Sequence, residues 1–191
     1  MAVSAGPEAR LALSGALLLA RGDPRGLGYF DTSLAGFWRS FRAALVCYPF
    51  YLLLLLFRVT VVQWTAAGGM RIVIVETIAY VISWVAFPLI VLSLSRRIDR
   101  DDHFLGFMTV YNWSQVLQTG LFVVIALAGA VGLLPAKIGG PVGLAAAIAV
   151  LVYEWYIARI ALDVPAPMAA IVVLLDLALA TMLSRVTEAL Y

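Results

Sequence analysis

The chain has 191 residues, of which 64% are hydrophobic and only 13% are charged. A water-soluble domain of this length has too small a core for that much apolar surface, so the composition excludes an ordinary soluble protein and predicts an integral membrane protein. The formal net charge of +2 gives no basic patch typical of nucleic-acid binding, and no nucleic-acid partner is expected. One cysteine, Cys47, excludes a disulfide framework and a cysteine-based zinc site.

Residues 1–42 are predicted to form an N-terminal cytoplasmic or interfacial segment. The apolar run Leu11–Ala20 follows Arg10 but is too short to span a bilayer. Arg21 comes directly after it, without the small residues of a signal-peptide cleavage site. We therefore expect an interfacial or packed helix here rather than a cleaved leader.

A second amphipathic stretch precedes the first span. Four residues at i, i+3, i+4 and i+7 share one helical face: Leu34, Phe37, Trp38 and Phe41. This spacing predicts a helix at the inner headgroup level. Its predicted interfacial anchors are Phe37, Trp38, Arg39 and Arg42. The alternative is that the stretch simply continues the first transmembrane helix, and the sequence leaves both interpretations open.

Five segments are long and apolar enough to span a bilayer, which predicts an all-α, polytopic helical bundle in residues 43–191. The predicted spans cover about residues 43–62, 72–94, 106–134, 140–162 and 167–186. The third, fourth and fifth spans are joined by short connections, so these helices should be antiparallel neighbours.

The basic residues set the expected orientation. With the N-terminus inside, nine of them lie on the inner side: Arg10, Arg21, Arg25, Arg39, Arg42, Arg96, Arg97, Arg100 and Arg159. Four lie on the outer side: Arg58, Arg71, Lys137 and Arg185. This asymmetry predicts a cytoplasmic N-terminus and a periplasmic C-terminus. Arginine outnumbers lysine twelve to one, a bias typical of GC-rich bacterial genomes, and we expect a bacterial inner (plasma) membrane.

Polar residues from three spans are predicted to meet at one depth. At about 1.5 Å per residue, Gln115, Glu154 and Asp176 lie about 15, 12 and 14 Å from the inner ends of their spans. The third span also carries a polar stripe that should face protein rather than lipid. The candidate pocket consists of Tyr111, Asn112, Gln115, Gln118, Glu154 and Asp176. It is either a pocket for a proton, cation or small polar solute, or a clamp between helices.

The acidic residues inside the spans need partners, because an unpaired charge in a bilayer is expensive. No basic residue lies within one helical turn of Asp176. We therefore expect Asp176 to face the bundle interior, within hydrogen-bond reach of a polar side chain from the third or fourth span. Glu76 lies near the outer end of the second span, where it should reach the headgroups or pair with Arg71.

The arrangement of spans resembles that of Yip1-type membrane proteins. The resemblance covers Phe37 to Tyr191: five closely spaced spans, an N-terminal region inside and a very short C-terminal end outside. The segment Tyr111–Ser114 is loosely similar to polar-aromatic stretches in that family. The resemblance implies the five-span fold. Eukaryotic members act in vesicle traffic through small GTPases, so it implies no bacterial activity, and no family residue is carried over.

No motif for catalysis or nucleotide binding occurs in the sequence, so an enzyme, a resident metal and a cofactor are not expected. The leading functional prediction is a non-enzymatic scaffold, organiser or accessory subunit of a membrane assembly. The alternative is a small transporter or channel subunit that uses the inner polar cluster. The expected partners are the lipid bilayer and a homo-oligomer or larger membrane complex.

Overall fold

The computed structural model describes residues 5–191, a range that is mostly helical and contains no strand. Residues 1–4 of the predicted N-terminal segment lie outside the described residues. The α-helices are α1 Ala5–Ala20, α2 Leu34–Ser40, α3 Arg42–Arg58, α4 Val61–Ala67, α5 Gly69–Arg97, α6 Asp101–Ala130, α7 Ala136–Ala161 and α8 Ala166–Leu190. A 3-10 helix, Pro24–Tyr29, follows α1.

Five stretches of helix are long and apolar enough to cross a membrane, as the sequence predicts, and the protein is a multi-pass helical bundle. They are Leu34–Arg58, Gly69–Arg97, Asp101–Ala130, Lys137–Ala161 and Ala166–Leu190. The first stretch ends earlier than the predicted residue 62. Thr60 and Gln63 form a capping box that starts α4, and this new helix turns the chain away from the axis of α3.

The predicted amphipathic stretch becomes α2, which almost continues into α3. Only Phe41, with φ −64° and ψ −11°, separates the two helices. The residues of the predicted apolar face differ in exposure. Phe37 is 7% exposed and packs against Phe104, whereas Trp38 is 65% exposed. Phe37 thus lies inside the protein, because the N-terminal part of α6 covers that side of α2.

The two predicted arginine anchors are held by acidic residues of the N-terminal segment. Arg39 donates to Glu8 at 2.9 Å and also pairs with Asp31. Arg42 lies 3.8 Å from Glu8. Hydrogen bonds from Ser33 to Asp31, together with Arg39, lower the pKa of the Asp31 carboxyl. These contacts tie α1, the loop after the 3-10 helix and α2 together at the surface.

The apolar run at the N-terminus forms a packed helix, one of the two alternatives expected. Ala12, Ala16 and Leu19 of α1 are buried. Two tyrosines of α7 donate to this region: Tyr153 to the Ala16 carbonyl at 2.8 Å, and Tyr156 to the Gly22 carbonyl at 3.0 Å. Thus α1, the 3-10 helix and α2 cover one end of the bundle, here called the N-terminal end.

Helix α6 occupies the centre of the molecule, in contact with α1, α2, α3, α5 and α7. Helix α8 packs between α7 and α5. Long aromatic side chains join α3 to α5: Tyr80 donates to the Ala44 carbonyl at 2.7 Å, and Tyr48 and Thr77 hydroxyls lie 2.8 Å apart. The five spanning stretches therefore form one bundle with a common interior.

Candidate functional site

A cavity of about 470 Å³ lies in this interior and is lined by all five spanning stretches. The lining positions fall near the middle of each: 47–54 of α3, 80–88 of α5, 111–122 of α6, 147–154 of α7 and 176–180 of α8. All six residues of the predicted polar pocket line it. The sequence therefore identified one group of residues that the fold does bring together.

Asp176 lies where the sequence predicts. Its Oδ2 accepts a hydrogen bond from the Tyr111 hydroxyl at 2.7 Å, so α8 is linked to α6 through the cavity wall. The donor, Tyr111, belongs to the polar stripe of the third span, as predicted. The Nε2 atom of Gln115 instead faces Glu154 Oε1, at the long distance of 3.5 Å. Both carboxyl groups thus meet the polar stripe of α6.

The other two predicted residues are more deeply buried. Asn112 is 1% exposed and donates to the Ser40 hydroxyl of α2 at 2.8 Å. Gln118 donates to the Ser114 hydroxyl one turn earlier, at 3.4 Å. These bonds hold the α6 backbone and its neighbours in place, so Asn112 and Gln118 serve the packing of α6 as well as the cavity wall.

The charged residues that line the cavity, among those described, are all acidic. Glu154 and Asp176 face it, and of the described residues that line it, none is Arg, Lys or His. Two carboxyl groups that line one cavity can avoid carrying two uncompensated negative charges by binding a proton or a cation. The arrangement is therefore suited chemically to positive charge.

An aromatic wall that the sequence interpretation missed completes the cavity. It consists of Tyr51, Tyr80, Trp84, Phe87 and Phe122. Three of these residues fall at i, i+4 and i+7 on α5, namely Tyr80, Trp84 and Phe87, which is the spacing of one helical face. That spacing is a visible signal, but lipid-facing aromatic residues produce the same pattern.

A second polar cluster lies between the cavity and the end of the bundle opposite the N-terminal end. Glu76 is 1% exposed and pairs with Arg58, and it accepts hydrogen bonds from Tyr51 and Tyr191. This corrects the expectation for Glu76: Arg71 is exposed, and the partner is Arg58. Burial and the bond to Glu76 raise the pKa of Tyr191. Tyr51 belongs to both this cluster and the cavity wall.

Comparison of the chain with protein-family models, curated proteins and solved structures finds no match. The resemblance to Yip1-type proteins therefore stays a prediction from the arrangement of spans. Any functional conclusion has to come from the geometry of the cavity.

Proposed function

We propose that the protein is a non-enzymatic membrane protein that binds a proton, cation or small polar solute in its central cavity and moves it across the bilayer. One observation carries this proposal: carboxyl groups from α7 and α8 and amides from α6 face a single cavity of about 470 Å³. A clamp between helices would bring the same groups together without leaving space between them.

The depth of the cavity supports transport. Its lining residues lie near the middle of every spanning stretch, which is where solute sites of membrane transporters are found. Ionisable residues facing a bundle interior typically mark the path of an ion or solute. Glu154 and Asp176 are placed in that way.

The proposed setting is a bacterial inner membrane with the N-terminus in the cytoplasm. The distribution of arginines supports it, since Arg96, Arg97 and Arg100 join the arginines of the N-terminal segment on one side. The N-terminal end of the bundle would then face the cytoplasm, and the Glu76 cluster would face the periplasm.

A scaffold or accessory subunit of a larger assembly is the second candidate. The observation that favours it is the number of polar bonds that lock helices together, such as Asn112 with Ser40 and Tyr80 with the Ala44 carbonyl. In that role the cavity would be a dry packing defect. Access of water to the cavity therefore separates the two candidates.

The test uses Leu54→Cys in a Cys47→Ser background, because Leu54 lines the cavity and is half-buried, whereas the native Cys47 is 2% exposed and too buried to report on the cavity. Thiols react with charged methanethiosulfonates as thiolates, which form in water rather than in lipid. In vesicles, we expect a trimethylammonium methanethiosulfonate to modify the thiol at position 54 at least about tenfold faster than a thiol facing lipid.

The matched control is Leu45→Cys in a Cys47→Ser background, since Leu45 lies on the same helix and is 76% exposed on the outer surface. Asp163→Cys in that background shows that the reagent is active, because the Asp163 side chain is 74% exposed. If the cysteine at position 54 reacts as slowly as the cysteine at position 45, the cavity is dry and the transport proposal is wrong.

A further inference from the structure

The cavity combines an acidic side and an aromatic wall. From this combination we propose that its ligand is an organic ammonium cation with an apolar or aromatic body. This inference rests on the proposed function, because it names the class of solute that the cavity takes. Three features support it: the aromatic rings, the carboxyl groups and the size of the space.

The rings form a connected surface. The centroids of Tyr51 and Tyr80 are 4.8 Å apart, and those of Tyr80 and Trp84 are 6.0 Å apart. A quaternary or protonated amine placed against such rings is attracted by their negative faces, most strongly where water is excluded. Groups of aromatic rings are a recurrent means of recognising ammonium groups.

The acidic side lies directly beside the rings. Phe87 packs on Tyr111 with a centroid distance of 4.5 Å, and the Tyr111 hydroxyl donates to Asp176. Glu154 faces the same space from α7. A ligand can therefore place its cationic group at the carboxyl groups while its apolar body contacts the aromatic wall.

The size and chemistry of the space disfavour other ligands. A volume of about 470 Å³ is in the range of small-molecule sites. A metal cation needs several oxygen ligands in close array, and within residues 5–191 no three His, Cys, Asp or Glu side chains group to hold one. An anion would meet two carboxyl groups and no basic side chain among the described lining residues.

Binding to the purified protein in lipid nanodiscs tests the ligand class. The cationic probe is benzyltrimethylammonium, the neutral aromatic probe is benzyl alcohol and the anionic probe is benzoate. Titration calorimetry should show saturable binding of the cation, at least about tenfold tighter than that of benzyl alcohol. Benzoate should not bind.

Two variants locate the site. Asp176→Asn removes one acidic group, and Trp84→Leu removes one ring; each should raise the Kd for benzyltrimethylammonium about fivefold or more. The matched controls are Glu188→Gln and Trp38→Leu, both at exposed positions away from the cavity. These controls should leave the Kd unchanged. The cation should also slow the modification of the cysteine at position 54 in the Leu54→Cys variant.

The outcomes separate the ligand class from the proposed function. If benzyl alcohol binds as tightly as the cation, or if Asp176→Asn leaves the Kd unchanged, the ammonium proposal is wrong. If no probe binds although the cysteine at position 54 reacts rapidly, the cavity is open and only the ligand class is wrong. If that cysteine does not react, the proposed function fails as well.

Discussion

At the scale of single residues, the pair of Glu76 and Arg58 shows how this bundle accommodates charge. The Glu76 side chain is 1% exposed and that of Arg58 is 41% exposed, so the two ends of the pair have different surroundings. Removing the partner of a buried charge lowers the stability of the protein more than removing the partner of an exposed charge, because the buried charge that remains stays desolvated. The two halves of the pair should therefore respond differently to substitution.

Arg58→Gln should destabilise the protein by about 2–3 kcal/mol, since it leaves the buried carboxylate without its cation. Glu76→Gln should cost only about 1 kcal/mol, because the amide oxygen still accepts a hydrogen bond from one of the two tyrosines, Tyr51 or Tyr191, and the amide NH2 group can donate to the hydroxyl of the other. Thermal unfolding in detergent, followed by circular dichroism, measures both. Arg71→Gln is the control and should change stability by less than about 0.5 kcal/mol. An equal loss for both substitutions at the pair would contradict the proposed asymmetry.

The contrast between Asp176 and Glu76 shows what sequence reasoning can find at this scale. Asp176 lies mid-span without a nearby basic residue, so the cost of burial alone predicts that it faces protein. Its actual donor, Tyr111, depends on the rotation of α6 against α8, which helix depth does not determine. The pairing of Glu76 with Arg58 was missed because the predicted first span continued past Arg58, whereas α3 ends there.

At the scale of elements, the close approach of α1 to the 3-10 helix depends on glycine. A Cβ atom at Gly15 would lie 2.8 Å from the Gly26 carbonyl oxygen and 2.7 Å from the Cβ of Tyr29. Both are closer than real contacts, and backbone would have to move to relieve them. The absence of a side chain at Gly15 is what allows α1 to pack closely against the 3-10 helix.

Gly15→Ala should loosen α1 and the 3-10 helix at a cost of about 1–3 kcal/mol. Hydrogen exchange of the amides in residues 8–30 measures this locally, and faster exchange is expected there but not in α6. Gly28→Ala is the matched control, since a Cβ atom at Gly28 has no neighbour within 4 Å. Unchanged exchange in the Gly15→Ala variant would show that the contact does not hold α1 in place.

The sequence predicts which segments form helices better than it predicts where one helix ends and the next begins. Apolar runs of spanning length predict helices because lipid offers no other partner for the backbone. The short break at Phe41 and the separate helix α4 arise from local hydrogen bonds, such as the Thr60 capping box, that apolar patterning does not report. The packing of Phe37 on Phe104 likewise depends on where α6 passes.

At the scale of the whole molecule, the number of spans determines whether the two ends lie on the same side of the membrane or on opposite sides. With five spans, we expect residue 6 and residue 191 on opposite sides. Fusions of a fluorescent protein and of alkaline phosphatase at each position should report a cytoplasmic N-terminal side and a periplasmic C-terminal side. If both ends report the same side, the count of five spans does not hold in the membrane; opposite sides in reverse order would contradict only the orientation.

The central place of α6 has a consequence for how the protein enters the bilayer. Asn112 of α6 donates a hydrogen bond to Ser40 of α2, a helix that is synthesised earlier. The partners of Tyr111 and Gln115 lie on α8 and α7, which have not yet emerged from the ribosome when α6 leaves it. A helix with unpaired polar groups is poorly soluble in lipid. We therefore expect release of the third span into the membrane to be a late event, completed when α7 and α8 arrive to cover it.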